Sequence, residues 1–282
     1  MELHKKSAEF YVPNGQKVDE AIKKTTHMAI AAHQDDIEIM AYHGIEACFQ
    51  QEDKSFFGVV VTNGSGSARE NLYKNYTDEQ MVAVRKVEQK KAAMLGEFGL
   101  LALLDYPSSE VKTNQNDALV NEFAKLIEKS QPEVVYTHNL ADKHDTHIGV
   151  VVNVIKAIRS LPKAARPKLV LGCEVWRGLD WVNDDEKVYL DVSNHPNLAA
   201  GLVEVFDSQI IGGKRYDKAA IGRRLANATF TSSHVVDQSD ALTYAMDLTP
   251  LIEDDKLDLV TYTTLYIERF KNDVEDKIKK VL

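Results

Sequence analysis

The sequence predicts an α/β domain built on a mainly parallel sheet with helices on both faces. Three observations predict it: short apolar runs alternate with stretches of helical periodicity, no long Gly/Ser or Pro linker divides the chain, and there is no internal repeat. Such alternation is typical of units in which crossover helices cover a parallel sheet. At 282 residues the chain can bury a substantial core.

The individual elements follow from local patterns. Runs of β-branched, aromatic and other apolar residues predict strands at 28–32, 56–62, 100–105, 133–137, 168–176 and 187–193. Apolar residues at helical spacing predict helices at 37–51, 78–98, about 115–130, from about 147, 195–207 and 256–280. Asp78 is the predicted N-cap of the second helix, with Gly96 near its end. The chain after about residue 180 is predicted to be a less regular extension.

Composition excludes several classes of function. The formal net charge of −9 argues against a nucleic-acid partner, because phosphate binding needs a concentrated basic face. No apolar run approaches membrane-spanning length, and the first residues lack the apolar core of a secretory signal, so we expect no membrane partner. Cys48 and Cys173 have neither metal-type nor disulfide spacing. These features predict a reduced, cytoplasmic compartment, and they leave a homo-oligomer open.

Polar residues gather where the predicted strands end. His33, Asp35 and Asp36 follow the first strand, the segment 63–69 follows the second, and 138–147 follows the fourth. The carboxyl ends of parallel strands share one edge of an open sheet, which is where ligands bind. We therefore expect these distant segments to meet in one crevice.

The histidines and aspartates at this edge are candidate zinc ligands, because a catalytic zinc takes three nitrogen or oxygen ligands and keeps one position open. His33 and Asp36 could supply two of them. The third could come from His138, Asp142, His144, Asp145 or His147. Asp35 suits the role of the base that takes a proton from water. Taken alone, an aspartate pair after a strand is more often a helix cap than a metal site.

Two further residues are predicted to bind substrate. Arg69 ends the Gly-rich turn TNGSGSAR and could hold a polar or anionic group, or simply face solvent. That turn lacks the Lys-Ser/Thr of a nucleotide P-loop. Asp142 is the second predicted substrate-binding residue. Trp176 and Trp181 are expected to serve packing rather than sugar stacking.

Together these segments resemble the LmbE-like, or PIG-L, family of zinc-dependent N-deacetylases. The matching motifs occur in order: AHQDDI at 32–37, TNG at 62–64, RxxE at 85–88 followed by Leu95-Gly96, DKHDTH at 142–147, and Ser208-Gln209. In the family, the motif at 32–37 reads AHPDDE and the motif at 142–147 reads DxHxDH. The resemblance covers roughly residues 27–210.

The resemblance implies a Rossmann-like three-layer fold with zinc bound by His33, Asp36 and His147. Asp35 would be the general base, and His144 would stabilise the oxyanion or protonate the leaving amine. The substrate would be a small N-acetylated molecule of the N-acetylglucosamine type. Zinc suits this ligand set, although Fe²⁺ or Co²⁺ could occupy it. A single domain of this type would span 1–282, with a core of about 27–210 and an extension of about 211–282.

Three positions depart from the family pattern. Gln34 replaces the usual Pro, and Ile37 replaces the usual Glu; neither change removes a ligand. Thr146 replaces an Asp that lies beside the catalytic histidine in relatives. The change would lower the basicity of His144 unless Asp142 or Asp145 orients its ring in place of the missing carboxylate.

Two other functions compete with deacetylation. His144-Asp145 forms the HD doublet of metal phosphohydrolases, but those sites lie on all-helical scaffolds. Alternatively, the change at Thr146 marks a non-catalytic sugar- or metal-binding protein. Acetate release would separate an enzyme from a binder, and phosphate release from phosphoesters would favour the HD alternative.

Overall fold

An eight-stranded sheet runs through the computed structural model, which describes residues 1–113 and 116–282. Its strands are β1 (Glu9–Tyr11), β2 (His27–Ala31), β3 (Phe56–Thr62), β4 (Leu100–Tyr106), β5 (Val134–His138), β6 (Leu169–Cys173), β7 (Val188–Asp191) and β8 (Leu242–Asp247). The order across the sheet is β1-β4-β3-β2-β5-β6-β8-β7. Strands β2 to β6 run parallel, whereas β1 is antiparallel to β4 and β8 is antiparallel to β6 and β7.

Twelve α-helices connect or flank these strands within the described residues. They are α1 (Val18–Ala21), α2 (Asp36–Met40), α3 (Tyr42–Cys48), α4 (Asp78–Leu95), α5 (Ser108–Val111), α6 (Asp117–Ser130), α7 (Asp145–Ser160), α8 (Pro196–Glu204), α9 (Asp207–Ile210), α10 (Tyr216–Phe230), α11 (Pro250–Glu253) and α12 (Leu259–Val281). Short 3₁₀ turns lie at Ile22–Lys24, Asn71–Tyr73 and Lys163–Ala165. The predicted start of the third helix, residue 115, lies outside the described residues.

Two local predictions about helices were wrong. The N-cap of α4 is Thr77 rather than Asp78, because the Thr77 side chain accepts from the Gln80 backbone N–H while Gln80 Oε1 accepts from the Thr77 N–H. The helix predicted over 37–51 is two helices, since Ala41 leaves the helical conformation at φ −112° and ψ 19°. No helix of the described residues combines the length and apolarity needed to cross a bilayer.

The sheet separates two apolar layers. Along β3, Phe57, Val59 and Val61 contribute to one buried cluster, and Phe56 and Val60 contribute to the other. Successive strand residues point to opposite faces, so a strand covered on both sides is apolar throughout. Helices α6 and α7 cover the first face, and α2, α3, α4 and α8 cover the second. The predicted α/β fold with three layers and a mainly parallel sheet is confirmed.

The order of the strands fixes where a ligand can bind. From β2 the chain adds β3 and β4 on one side, then returns to add β5 and β6 on the other. The segments that leave β2 and β5 therefore diverge and open a crevice at the carboxyl ends of these two strands.

The chain beyond residue 210 returns to the sheet. Strand β8 inserts between β6 and β7, and the sequence analysis predicted neither β8 nor α10. The buried carboxylate of Glu174 accepts hydrogen bonds from Tyr244 N (3.0 Å) and from Asn227 Nδ2 (2.9 Å). It thereby attaches both elements to the end of β6. The predicted boundary between core and extension stays a prediction.

Candidate active site

The turn after β2 directs two carboxylates into the crevice. Asp35 adopts the left-handed conformation at φ 90°, so the chain reverses tightly before α2 begins. Asp36 Oδ2 accepts a hydrogen bond from the backbone N–H of His33 (2.8 Å). Only 5% of Asp35 and 3% of Asp36 is exposed. Positive φ at a non-glycine residue is uncommon and concentrates at functional sites.

Three side chains form a nearly equilateral triangle of donor atoms. Asp36 Oδ2 lies 3.1 Å from His33 Nδ1 and 3.2 Å from His147 Nε2, and the two imidazole nitrogens lie 3.3 Å apart. Ligands on a tetrahedral ion with bonds of about 2.0–2.1 Å are separated by about 3.3 Å, so the spacing fits zinc. The donor set of two imidazoles and one carboxylate also suits a divalent transition metal.

A carboxylate behind the triangle orients His147. Asp142 Oδ2 lies 3.4 Å from His147 Nδ1, which leaves Nε2 facing the other two donors. Carboxylates of this kind fix the tautomer of a metal-binding histidine. The same carboxylate accepts from the backbone N–H groups of His144 (3.1 Å) and Trp176 (3.2 Å). Asp142 therefore organises the site, and the substrate-binding role predicted for it remains a prediction.

A second group of donors, His138, Asp142 and His147, is a weaker candidate. His138 Nε2 already accepts a hydrogen bond from the backbone N–H of Ala32 (2.9 Å), and its ring stacks on His147 at 3.8 Å. His33 and Asp36 line the cavity described below, whereas neither His138 nor Asp142 does, so the triangle of His33, Asp36 and His147 is the better candidate for a metal that meets a substrate.

Asp35 has the properties of a proton acceptor. Its Oδ2 lies 3.4 Å from Arg85 Nη2, and its carboxylate lines the cavity described below. Burial raises the pKa of Asp35 to about 8, although the Arg85 charge opposes the shift. A general base works best when its pKa is near the operating pH. A cation bound to the neighbouring triangle would lower this pKa and favour the ionised form.

The ring of His144 is held by a hydrogen bond to its own helix. Its Nδ1 accepts a hydrogen bond from the Thr146 backbone N–H (3.3 Å), so a neutral ring carries its proton on Nε2. Burial, followed by the neighbouring His147 and His33, lowers the pKa of His144 to about 4. None of the described carboxylates forms an ion pair or hydrogen bond with the ring. A neutral ring offers Nε2–H as a hydrogen-bond donor, and the role predicted for His144, to stabilise the oxyanion or protonate the leaving amine, stays a prediction.

A cavity of about 330 Å³ opens over these groups. We call His33, Asp35, Asp36 and His144 its floor, with His147 directly behind them. We call Trp176, Gln209, Lys214 and Tyr216 its wall; Arg85 and Lys112 also line the cavity. None of these wall residues was predicted to be functional, and Trp176 was expected to serve packing.

Two buried charged side chains hold the wall in place through hydrogen bonds. Glu88 on α4 accepts hydrogen bonds from the Ser208 backbone N–H (2.7 Å) and hydroxyl (2.6 Å), which fixes α9 and its Gln209. Arg224 on α10 donates to the Glu38 carbonyl (2.8 Å). The contact between Glu88 and Ser208 joins two motifs that are visible in the sequence, RxxE at 85–88 and Ser208-Gln209.

Arg69 does not line the cavity. Its guanidinium donates to the carbonyls of Ser65 and Tyr76 (2.9 Å to Tyr76) and pairs with Asp78 at the start of α4. These contacts favour a role in loop structure, and the predicted substrate role stays a prediction. The turn itself requires glycine at Gly64, where φ is 72° and an added Cβ would lie 2.5 Å from Gln34 Oε1.

One protein-family model matches part of the chain. Residues 28–158 match the PIG-L family model, described as GlcNAc-PI de-N-acetylase. This segment is therefore similar to a PIG-L, or LmbE-like, domain. The matched segment contains every predicted site residue, whereas the whole wall lies beyond it. No curated protein matches the sequence.

Solved structures share the fold of this chain at low identity. The 4-carboxy-2-hydroxymuconate hydratase GalB from Pseudomonas putida KT2440 is 15% identical, with a TM-score of 0.61 over 79% of this chain and 96% of that one. An N,N'-diacetylchitobiose deacetylase from Pyrococcus horikoshii, complexed with an inhibitor, is 14% identical (TM-score 0.58; 78% and 83%). The zinc-inhibited form of teicoplanin deacetylase Orf2 is 13% identical (TM-score 0.55; 79% and 97%).

Proposed function

We propose that the protein is a zinc-dependent hydrolase that removes the acetyl group from a small N-acetylated substrate of the N-acetylglucosamine type. The observation that carries the proposal is the donor triangle of His33, Asp36 and His147 beside the buried carboxylate of Asp35. The family match and the deacetylases among the structural neighbours support it. Fe²⁺ or Co²⁺ could replace zinc in this ligand set.

The residues of the floor divide the chemistry between them. Zinc held by the triangle would supply a Lewis acid that acidifies water and polarises the amide carbonyl. Asp35 accepts a proton from the attacking water, whose oxygen bonds to the carbonyl carbon. The Nε2–H of His144 donates a hydrogen bond to the developing oxyanion. As the C–N bond breaks, Asp35 returns its proton to the amine nitrogen; the products are a free amine and acetic acid, which then loses its proton to become acetate.

The test combines metal analysis of the purified protein with an acetate-release screen over N-acetylated glucosaminides. We expect about one zinc per chain and release of acetate in step with new primary amine. Because one structural neighbour is a hydratase, the screen also includes an unsaturated carboxylic acid. Loss of its double bond without acetate release from any sugar would overturn the deacetylase proposal.

The two competing functions predict other results. A metal phosphohydrolase would release phosphate from phosphoesters, but the parallel sheet differs from the all-helical scaffolds of HD enzymes. A sugar-binding protein would bind N-acetylated sugars and release nothing. We also propose a cytoplasmic location, with which the two free, buried cysteines are compatible. A homo-oligomer stays open.

A further inference from the structure

We propose that α12 is a self-association surface, on which the same helix of a second copy of this chain packs antiparallel. The inference goes beyond the proposed function and does not depend on it. It is carried by an exposed apolar stripe on α12, by the symmetric spacing of that stripe, and by the charges beside it.

The later part of α12 stands apart from the core. Thr263 and Tyr266 are the buried residues of this helix, and from Ile267 to Leu282 no side chain is buried. Five apolar side chains in this part, which we call the stripe, are 38–84% exposed: Ile267, Phe270, Val274, Ile278 and Val281. Single apolar residues are normal on a protein surface, whereas a continuous apolar patch marks an interaction site.

The stripe runs straight along one face of the helix. Its residues recur at intervals of three, four, four and three, an eleven-residue repeat of about 3.67 residues per turn. An α-helix has about 3.6 residues per turn, so the stripe stays on one face over about 21 Å. Most of the stability of a helix comes from packing its apolar face against other groups. We therefore expect a partner to cover the stripe.

The ion pairs of this part of α12 do not replace such a partner. Lys277 pairs with Asp273 (2.6 Å) and Lys279 pairs with Glu275 (3.2 Å), all on the surface of the same helix. Pairs of this kind contribute only about 0.2–0.5 kcal/mol each. They keep the helix soluble and leave its apolar face open.

The stripe is symmetric about Val274, which lies at its centre. Ile267 and Val281 lie seven residues from the centre, and Phe270 and Ile278 lie four residues from it. Two copies of α12 that cross antiparallel at Val274 therefore place an apolar side chain opposite each apolar side chain. A two-fold interface requires self-complementarity of this kind, which a partner of unrelated sequence would not need.

The charges beside the stripe favour the antiparallel direction. Three of the last six residues are lysines, at 277, 279 and 280, whereas residues 267–276 hold four carboxylates and two cations. In a parallel pair the lysine ends of both copies would lie together. In an antiparallel pair each lysine end lies beside the acidic part of the other helix, and such complementarity fixes the register of an interface.

An acidic loop lies beside the same part of α12. Residues 180–185 include three aspartates and line, together with residues of α12, an open cavity of about 530 Å³. When two helices cross at Val274, the lysine end of the second copy lies level with residues 268–271. Arg269 in that stretch pairs with Glu186 at the end of the acidic loop. Each acidic loop is therefore placed to attract the lysine end of the other copy.

The oligomeric state of the whole protein tests the proposal, measured by sedimentation equilibrium. We expect the wild type to be a dimer at about 10 µM. Val274→Asp places two carboxylates opposite each other on the two-fold axis and should raise the dimer Kd at least about tenfold. Asn272→Asp adds the same charge to the opposite face of α12, where Asn272 is exposed, and should keep the wild-type Kd.

A mixture of variants separates loss of the interface from loss of the fold. Val274→Lys alone should also be monomeric, but an equal mixture of Val274→Asp and Val274→Lys should form a heterodimer, because the two opposed side chains then carry opposite charges. Circular dichroism checks that each variant keeps the helix content of the wild type.

Cross-linking tests the direction of the two helices. Ile267→Cys and Val281→Cys lie opposite each other only in an antiparallel pair. A short bifunctional maleimide should therefore join a mixture of these two variants and should join neither variant to itself. The natural cysteines, Cys48 and Cys173, are buried and do not compete for the reagent.

Three outcomes overturn the proposal. They are a wild type that stays monomeric up to about 100 µM, an oligomer whose Kd is unchanged in Val274→Asp, and cross-links within each cysteine variant alone. Vesicles of phosphatidylglycerol test the other surface that an amphipathic helix could meet. Binding of monomeric wild type to these vesicles, lost in Val274→Asp, assigns the stripe to a membrane surface and also overturns the dimer.

Discussion

The floor and the wall of the cavity are built in different ways. The floor is assembled from two short segments, the turn after β2 and the segment between β5 and α7, and both lie within the matched residues 28–158. The wall comes from the loop after β6 and from α9, α10 and the loop between these two helices, all beyond that match. Its side chains are separated by up to 40 residues, from Trp176 to Tyr216.

This difference indicates which part of the sequence encodes each property of the site. Metal binding and proton transfer need donors at fixed separations, and two local motifs on adjacent parallel strands provide them. Contacts with the rest of the substrate need only a surface of suitable shape and charge. We therefore expect changes in the floor to abolish the reaction and changes in the wall to alter which substrate is used.

The largest effects are expected at the metal ligands. His33→Ala, Asp36→Ala and His147→Ala should each leave little bound metal and no detectable turnover, because each removes one of three protein donors. Asp142→Asn should weaken metal affinity about 10–100-fold, since its carboxylate orients His147. Metal content by mass spectrometry and acetate release measure both effects.

Asp35→Asn is the matched control for those variants. It should retain metal and lose about 10²–10⁴-fold in kcat, because an amide cannot accept the proton of water. If Asp35→Asn lost metal while Asp36→Asn stayed fully loaded, the two carboxylates would have exchanged roles. If Asp142→Asn raised KM with metal affinity unchanged, its predicted role in substrate binding would be correct.

An intermediate effect is expected at His144, whose ring is neutral near pH 7 because its pKa is lowered to about 4. His144→Ala should reduce kcat about 10²-fold with metal retained. Thr146→Asp places an anion beside the ring, which favours the imidazolium and raises its pKa. If the neutral ring is the working form, turnover of Thr146→Asp should be lower than that of the wild type at pH values below the raised pKa, where the ring is protonated.

The pH–rate profile of kcat over about pH 5 to 9 measures this difference. Thr146→Asn controls for size without adding charge and should keep the wild-type profile. Higher turnover of Thr146→Asp at acidic and neutral pH would instead show that the protonated ring works, as the family resemblance implied. Near-normal turnover of His144→Ala would remove the residue from the mechanism.

The sequence was sufficient for most of the fold. The predicted strands at 56–62 and 100–105 differ from β3 and β4 by at most one residue, because continuous apolar runs identify strands buried on both faces. Strand β8 was missed because its pairing is antiparallel and distant, and depends on tertiary contacts such as those of Glu174. The split at Ala41 carries no local signal such as Gly or Pro.

The site was predictable only in part, for a related reason. Carboxyl ends of parallel strands meet regardless of detail, so the proximity of His33, Asp36 and His147 could be expected. The direction of a long side chain could not, because it depends on which partners the fold brings near. Arg69 was expected at the substrate, whereas Arg85 is the arginine that lines the cavity.

A smaller effect is expected at the wall. Trp176→Leu should raise KM about tenfold with kcat changed less than about threefold, the result of losing contacts made equally in the ground and transition states. Trp181→Phe is the control, because Trp181 packs against the core and donates to the Gly178 carbonyl (3.0 Å). A fall in kcat at constant KM would make Trp176 part of the floor chemistry.

The smallest effect on the reaction is expected at Arg69. Its guanidinium joins Ser65 and Tyr76 of its loop to Asp78 at the start of α4, and its side chain is 20% exposed. Arg69→Ala should therefore leave KM within about twofold. It should lower the free energy of unfolding by about 0.5–1.5 kcal/mol, since the lost contacts are hydrogen bonds at a partly exposed site. Arg69→Lys keeps the charge but not the several donors, so it should lose stability similarly. A KM increase of about tenfold in Arg69→Ala, reversed in Arg69→Lys, would mean that the charge reaches the substrate, and the predicted substrate role would be correct.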